Sequence, residues 1–87
     1  MEINRFNKDL LNSVGYNPAH RTNEDIMEML RYNHIHISIF HVYDGNYSYK
    51  VEKFNNIIEE TDMKMSYENA LHKSINVGLK LLKQSKK

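Results

Sequence analysis

Two alternating runs joined by a glycine turn constrain this chain more than any other feature. His34-Ile35-His36-Ile37-Ser38-Ile39-Phe40-His41-Val42 alternates and is rich in β-branched residues. From Asn46 to Phe54, Tyr47, Tyr49 and Val51 alternate with Ser48, Lys50 and Glu52. A period of two with such residues marks a strand. Tyr43-Asp44-Gly45 lies between the runs and signals a hairpin.

The pattern of apolar residues decides the length of the turn. A two-residue Asp44-Gly45 loop would set Ile39 against Lys50 and Ile37 against Glu52, placing charge on the isoleucine face. A three-residue loop Tyr43-Asp44-Gly45, with Gly45 left-handed, sets Ile39 against Tyr49 and Ile37 against Val51. Ser38 then meets Lys50 and His36 meets Glu52 on the other side. A slip of one residue inverts the faces, so burial selects the longer loop.

A lone hairpin is marginal in water, so the rest of the chain must supply its cover. Ile3, Phe6, Leu10, Leu11 and Val14 recur at helical spacing and predict a helix over 3–13, stopped by Gly15 and Asn17-Pro18. Residues 15–22 read as a loop. A second helix is expected over 23–32, capped by Thr22 or Asn23, with Glu24 and Asp25 in its first turn. Its Ile26 and Leu30 face the core, and Asn33 is its expected left-handed terminator.

Asn55-Asn56 reads as a turn, and Ile57, Glu59, Thr61, Met63 and Met65 alternate loosely as a third strand ending at Met65. An acidic loop with only Met63 to Met65 in strand is the competing reading. Ser66 caps a last helix in which Ala70, Leu71, Ser74, Ile75, Gly78, Leu79, Leu81 and Leu82 form a wide apolar stripe. Gly78 in mid-helix costs about 1 kcal/mol against Ala, which makes sense where the helix lies close on the sheet. The expectation is an α+β fold in the order α-α-β-β-β-α, with helices on one face of a small antiparallel sheet. A single domain over 1–87 is expected: an N-terminal helix and loop over 1–22, a core over 23–83 and a frayed basic tail over 84–87.

Composition bounds the chemistry. The chain has no cysteine, which removes disulfides, thiolate metal sites and thiol nucleophiles. No apolar run nears the ~18 residues of a membrane span, and no signal-peptide pattern opens the sequence. A soluble, cytoplasmic protein is expected. Asn, Lys, Ile, Tyr, Met and Phe, all with AT-rich codons, supply nearly half the chain, so its eleven Asn report genome composition before function. The net charge of +1 conceals segregation: residues 52–68 carry −3 and residues 69–87 carry +5.

Three groups of residues are candidate sites. His34 and His36 share one side of a strand, with Glu52 opposite His36, a set that could hold a metal beside the commoner reading of solvent-facing histidines. Phe40 and Val42 fall on the polar side of the hairpin and mark an interface, between two sheets for instance. Lys80, Lys83, Lys86 and Lys87, with Lys73, form a basic helix end that suits the helix dipole or phosphate contacts. The aromatics of the hairpin, with Lys50 and Lys53 nearby, either pack under the helices or stack bases. No Gly-rich phosphate loop, G-x-S-x-G or thiol nucleophile is present. No catalytic residue, cofactor or small-molecule ligand is assigned, and Glu59-Glu60, being adjacent, point apart on a strand.

Ser66-Tyr67-Glu68-Asn69-Ala70-Leu71 followed by Gly78-Leu79-Lys80-Leu81-Leu82, behind a Tyr-rich hairpin, resembles small proteins of phages and mobile elements in low-GC, Bacteroidetes-like bacteria. That resemblance covers residues 23–83 and implies no catalytic residues. The order α-β-β-β-α over 23–83 is similar to double-stranded-RNA-binding domains, whose last helix opens with a lysine cluster; here that place holds Ser66-Tyr67-Glu68-Asn69. HicB-type antitoxins also place a three-stranded sheet before a helix that opens loosely like Ser66, Glu68 and Ala70, although their Pro-Gly-rich third strand has no counterpart. The expected function is that of a small non-enzymatic interaction protein of a bacterial mobile element or its host, a homodimer or the partner of another protein. The alternative is a weak nucleic-acid binder or an antitoxin-like regulator.

Overall fold

A computed structural model describes residues 3, 5–17, 19, 21–54, 56–60 and 65–85, with only the backbone of Phe6 and Ser85. Its elements are α1 (Arg5–Ser13), α2 (Asn23–Tyr32), β1 (Ile35–His41), β2 (Tyr47–Lys53), β3 (Asn56–Glu60) and α3 (Tyr67–Ser85). The sheet is antiparallel in the order β1-β2-β3. The architecture is the α+β arrangement expected, with α2 and α3 laid on one sheet face and α1 packed on α3.

The hairpin has the register that burial demands. Ile37 pairs with Val51, Ile39 with Tyr49, Ser38 with Lys50 and His36 with Glu52. Val42 N–H donates to the Asn46 carbonyl at 2.9 Å and closes the loop Tyr43-Asp44-Gly45. Gly45 is left-handed (φ 73°), and so is Asp44 (φ 64°), which the sequence reading did not foresee.

Helix ends follow local chemistry. Thr22 is the cap of α2: its Oγ1 accepts from Asp25 N–H, and its own N–H donates to the Asp25 carboxylate at 2.8 Å. The Thr22 N–H bond, then the Thr22 hydroxyl donating to the same carboxylate oxygen at 3.1 Å, favour the ionised form and hold the Asp25 carboxyl below its usual range. Ser66 Oγ accepts from Asn69 N–H at 3.2 Å and caps α3. The left-handed terminator of α2 is His34 (φ 64°) and not Asn33, whose φ is −101°. Asn33 serves through its side chain, donating Nδ2 to Met29 O at 2.9 Å.

Several boundaries move. The first helix begins at Arg5 rather than residue 3, although Ile3 is still buried. His34, Val42, Asn46 and Phe54 lie outside the two hairpin strands: positive φ takes His34 and Phe54 out of extended geometry although the Phe54–His34 bond continues the pairing, and the Val42–Asn46 bond already belongs to the turn. Asn56 opens β3 opposite Lys53, so the second reversal starts at Phe54 and not at Asn55-Asn56.

A bulge interrupts the third strand. Ile57 stands opposite Glu52 and Glu59 opposite Val51, leaving Ile58 extra. Ile57 and Glu59 therefore fall on opposite faces instead of sharing one. β3 ends at Glu60, Met65 bridges to Tyr47, and residues 61–64 lie outside the described residues.

Ile26, Leu30, Val51, Ile75 and Leu79 are fully buried between helices and sheet, with Leu11, Val14 and Ile3 continuing the core under α1. Gly78 sits where three elements converge. A Cβ there would lie 2.8 Å from Leu30 Cδ1 of α2, and 3.5 Å from both Ile35 and Ile37 of β1. The glycine is demanded more by the neighbouring helix than by the sheet.

Candidate functional site

Strand alternation sends Ile35, Ile37, Tyr49 and Val51 toward the helices and His36, Ser38, Phe40, Ser48, Lys50 and Glu52 to the outer face. On that outer face Phe40 is 39% exposed and Val42 half-buried. Val42 is thus partly covered, and Ser48, opposite Phe40, is buried, so the face is less open than the sequence alone implies. Lys50 Nζ lies 3.3 Å from Glu52 Oε1 along β2, and Glu60 stands opposite Lys50. Charges on the outer face are thus grouped on β2 and β3, whereas β1 carries none between Ile35 and Val42.

The fold separates His34 from His36. His36 is on β1 opposite Glu52, but His34 is in the turn before it, with its ring stacked on Phe54 at 4.7 Å. The left-handed backbone at His34 (φ 64°) takes it out of the strand alternation that would have set it on the His36 row. No group of three or more His, Asp or Glu side chains positioned for a metal ion occurs among the described residues. His41 meets the Tyr47 ring edge-on at 5.3 Å.

The aromatics divide. Tyr49 is buried, and Tyr47 packs edge-to-face with Tyr67 at 5.2 Å. Tyr49 OH donates to the Glu59 carboxylate; burial first, then that bond and charge, push the phenol up to about 12. Glu59 therefore faces the helix side and Glu60 the other, as adjacent strand residues must.

An aromatic corner escapes sequence reasoning. Phe54 N–H donates to His34 O at 3.1 Å, their rings stack, and Lys53 Nζ lies 5.9 Å from the Phe54 ring centre. Tyr32 stands beside them, 80% exposed. His adopts positive φ more readily than most residues, but the bulky Phe54 seldom does, so the sequence does not mark this corner as a pair.

Lys73, Lys80 and Lys83 are exposed on α3; Lys86 and Lys87 lie outside the described residues. No protein-family model matches the chain, and neither does any curated protein or solved structure.

Proposed function

We propose that this chain is a small non-enzymatic interaction module that works as a homodimer. The observation that carries the reading is the uncharged rim strand β1, with Phe40 exposed on it and Val42 following it. A chain of 87 residues buries a limited share of its surface, so a second copy that covers apolar side chains contributes stability as well as function. Such a module fits the small phage and mobile-element proteins that residues 23–83 resemble. Light scattering at high micromolar concentration tests it. A mass of twice 10.4 kDa is expected, and a strictly monomeric species overturns the reading.

A second reading rests on Lys73, Lys80 and Lys83, which are exposed on a helix with no acidic residue after Glu68. It makes the chain a weak nucleic-acid binder. Labelled RNA and DNA titrated at two salt concentrations decide it, because phosphate contacts strengthen at low salt. Absence of binding at low salt removes it.

A further inference from the structure

The free edge of β1 lacks the devices that keep sheet edges apart. β1 bonds to β2 through its even-numbered residues, a parity fixed at both ends by Val42 N–H to Asn46 O (2.9 Å) and Phe54 N–H to His34 O (3.1 Å). Bonding alternates along an antiparallel ladder. The backbone groups of Ile35, Ile37, Ile39 and His41 therefore turn away from β2. Ile35 is covered, at 1% exposure, but Ile37 and Ile39 are half-buried and His41 is exposed. Among the described residues no strand flanks them.

Proteins usually blunt an edge by shortening it, bulging it, or placing charge or proline on it. β3, the opposite rim, shows three of these: five residues, a bulge at Ile58, and Glu59-Glu60. β1 has seven residues in unbroken register and no Lys, Arg, Asp, Glu or Pro.

We propose that β1 pairs antiparallel with β1 of a second copy about a two-fold axis at Ile39, joining the two sheets into one continuous sheet. This rests on the self-association reading and gives it a joint. The register follows from which residues present free bonding groups. Ile37, Ile39 and His41 are symmetric about Ile39, so Ile39 faces its own copy and Ile37 faces the second copy's His41, each pair exchanging two hydrogen bonds. A centre at Ser38 would require the covered Ile35. A centre at Phe40 would set Ile37 against loop residue Tyr43.

The side chains agree with this centre. Ile39 meets Ile39 on the helix side. On the outer face Ser38 meets Phe40 and His36 meets Val42, so both apolar residues of the hairpin flank gain cover. No formal charge crosses the axis, because Ile35 to Val42 contains none.

Cross-linking reads the register directly, since the chain has no cysteine of its own. Ser38→Cys and Phe40→Cys are made separately, mixed and mildly oxidised. Ser38 and the second copy's Phe40 form a non-bonded pair with Cα atoms about 4.5 Å apart, within disulfide reach. Ser38 meets Ser38 only on a diagonal of roughly 7–8 Å, and two sheets packed face to face stand about 10 Å apart. The mixture is expected to yield a covalent dimer with one of each variant by mass spectrometry, and Ser38→Cys alone is expected to stay unlinked. If the unsubstituted chain is dimeric but the mixture does not link, or Ser38→Cys links equally well alone, the edge joint in this register is wrong while self-association stands. A monomeric unsubstituted chain overturns both.

Discussion

Replacing Gly78 by alanine sets two effects of opposite sign against each other. Helix propensity alone favours the alanine by about 1 kcal/mol. The new Cβ would lie 2.8 Å from Leu30 Cδ1, whereas its distances to Ile35 and Ile37, both 3.5 Å, are ordinary. Carbon atoms sit comfortably at about 3.5 Å or more, so the Leu30 methyl must retreat by roughly 0.7 Å. Leu30 is fully buried, and overpacking a dense interior costs about 1–3 kcal/mol. The overlap wins, and Gly78→Ala is expected to destabilise by about 1 kcal/mol, lowering Tm by about 4–8 °C in a domain of this size. Urea and thermal unfolding followed by circular dichroism measure it. Leu30→Ala alone costs about 2–5 kcal/mol. Combined with Gly78→Ala it removes the clashing methyl and with it the whole overlap, so the double variant should lose less than the two single losses added together by about 2 kcal/mol. A stabilised Gly78→Ala, with an additive double variant, would refute the close approach of α2 to α3.

Other expectations follow from particular contacts. Asn7 donates Nδ2 to His72 O at 3.1 Å and accepts from Asn76 Nδ2 at 3.2 Å while fully buried. Asn7→Ala should therefore cost about 2 kcal/mol in urea titrations, and Asn7→Leu with Asn76→Leu should recover part of it. The Tyr49 phenol is raised from 10.0 to about 12, so the folded state holds that proton longer than the unfolded chain. Its contribution is complete below pH 10 and is lost as pH rises toward 12; Tyr49→Phe should flatten that alkaline loss in pH-dependent unfolding. Thr22→Ala removes the cap of α2 and should cost about 1 kcal/mol, read as a shift in urea midpoint at unchanged slope.

Much of this architecture is legible in the residues. The hairpin register follows from burial alone, because only one alignment keeps Lys50 and Glu52 off the isoleucine face. α2 has the predicted bounds because Thr22 and Asp25 cap it and His34 ends it. Asn7 is harder to read. It lies midway between Ile3 and Leu11, each four residues away, on the buried stripe of the first segment, and that placement is the signal that could have found it. The bulge at Ile58 is hidden because alternation counts residues and a bulge adds one without changing the composition. The Tyr32–His34–Phe54 corner is hidden because it needs left-handed backbone at Phe54, a bulky residue that seldom adopts it. The uncharged β1 edge is visible in the sequence, but its status as a rim requires the strand order.

The packing of α1 on α3 has a consequence for the order of assembly. β1, β2 and β3 follow one another as neighbours, so the sheet forms through contacts close in sequence. The Asn7–Asn76 bond spans 69 positions, and closing it encircles nearly the whole molecule. Closure of so long a loop comes after the local pairings have shortened the path. α1 is thus expected to seal last and fray first, and its amides should exchange with solvent well before those of β2.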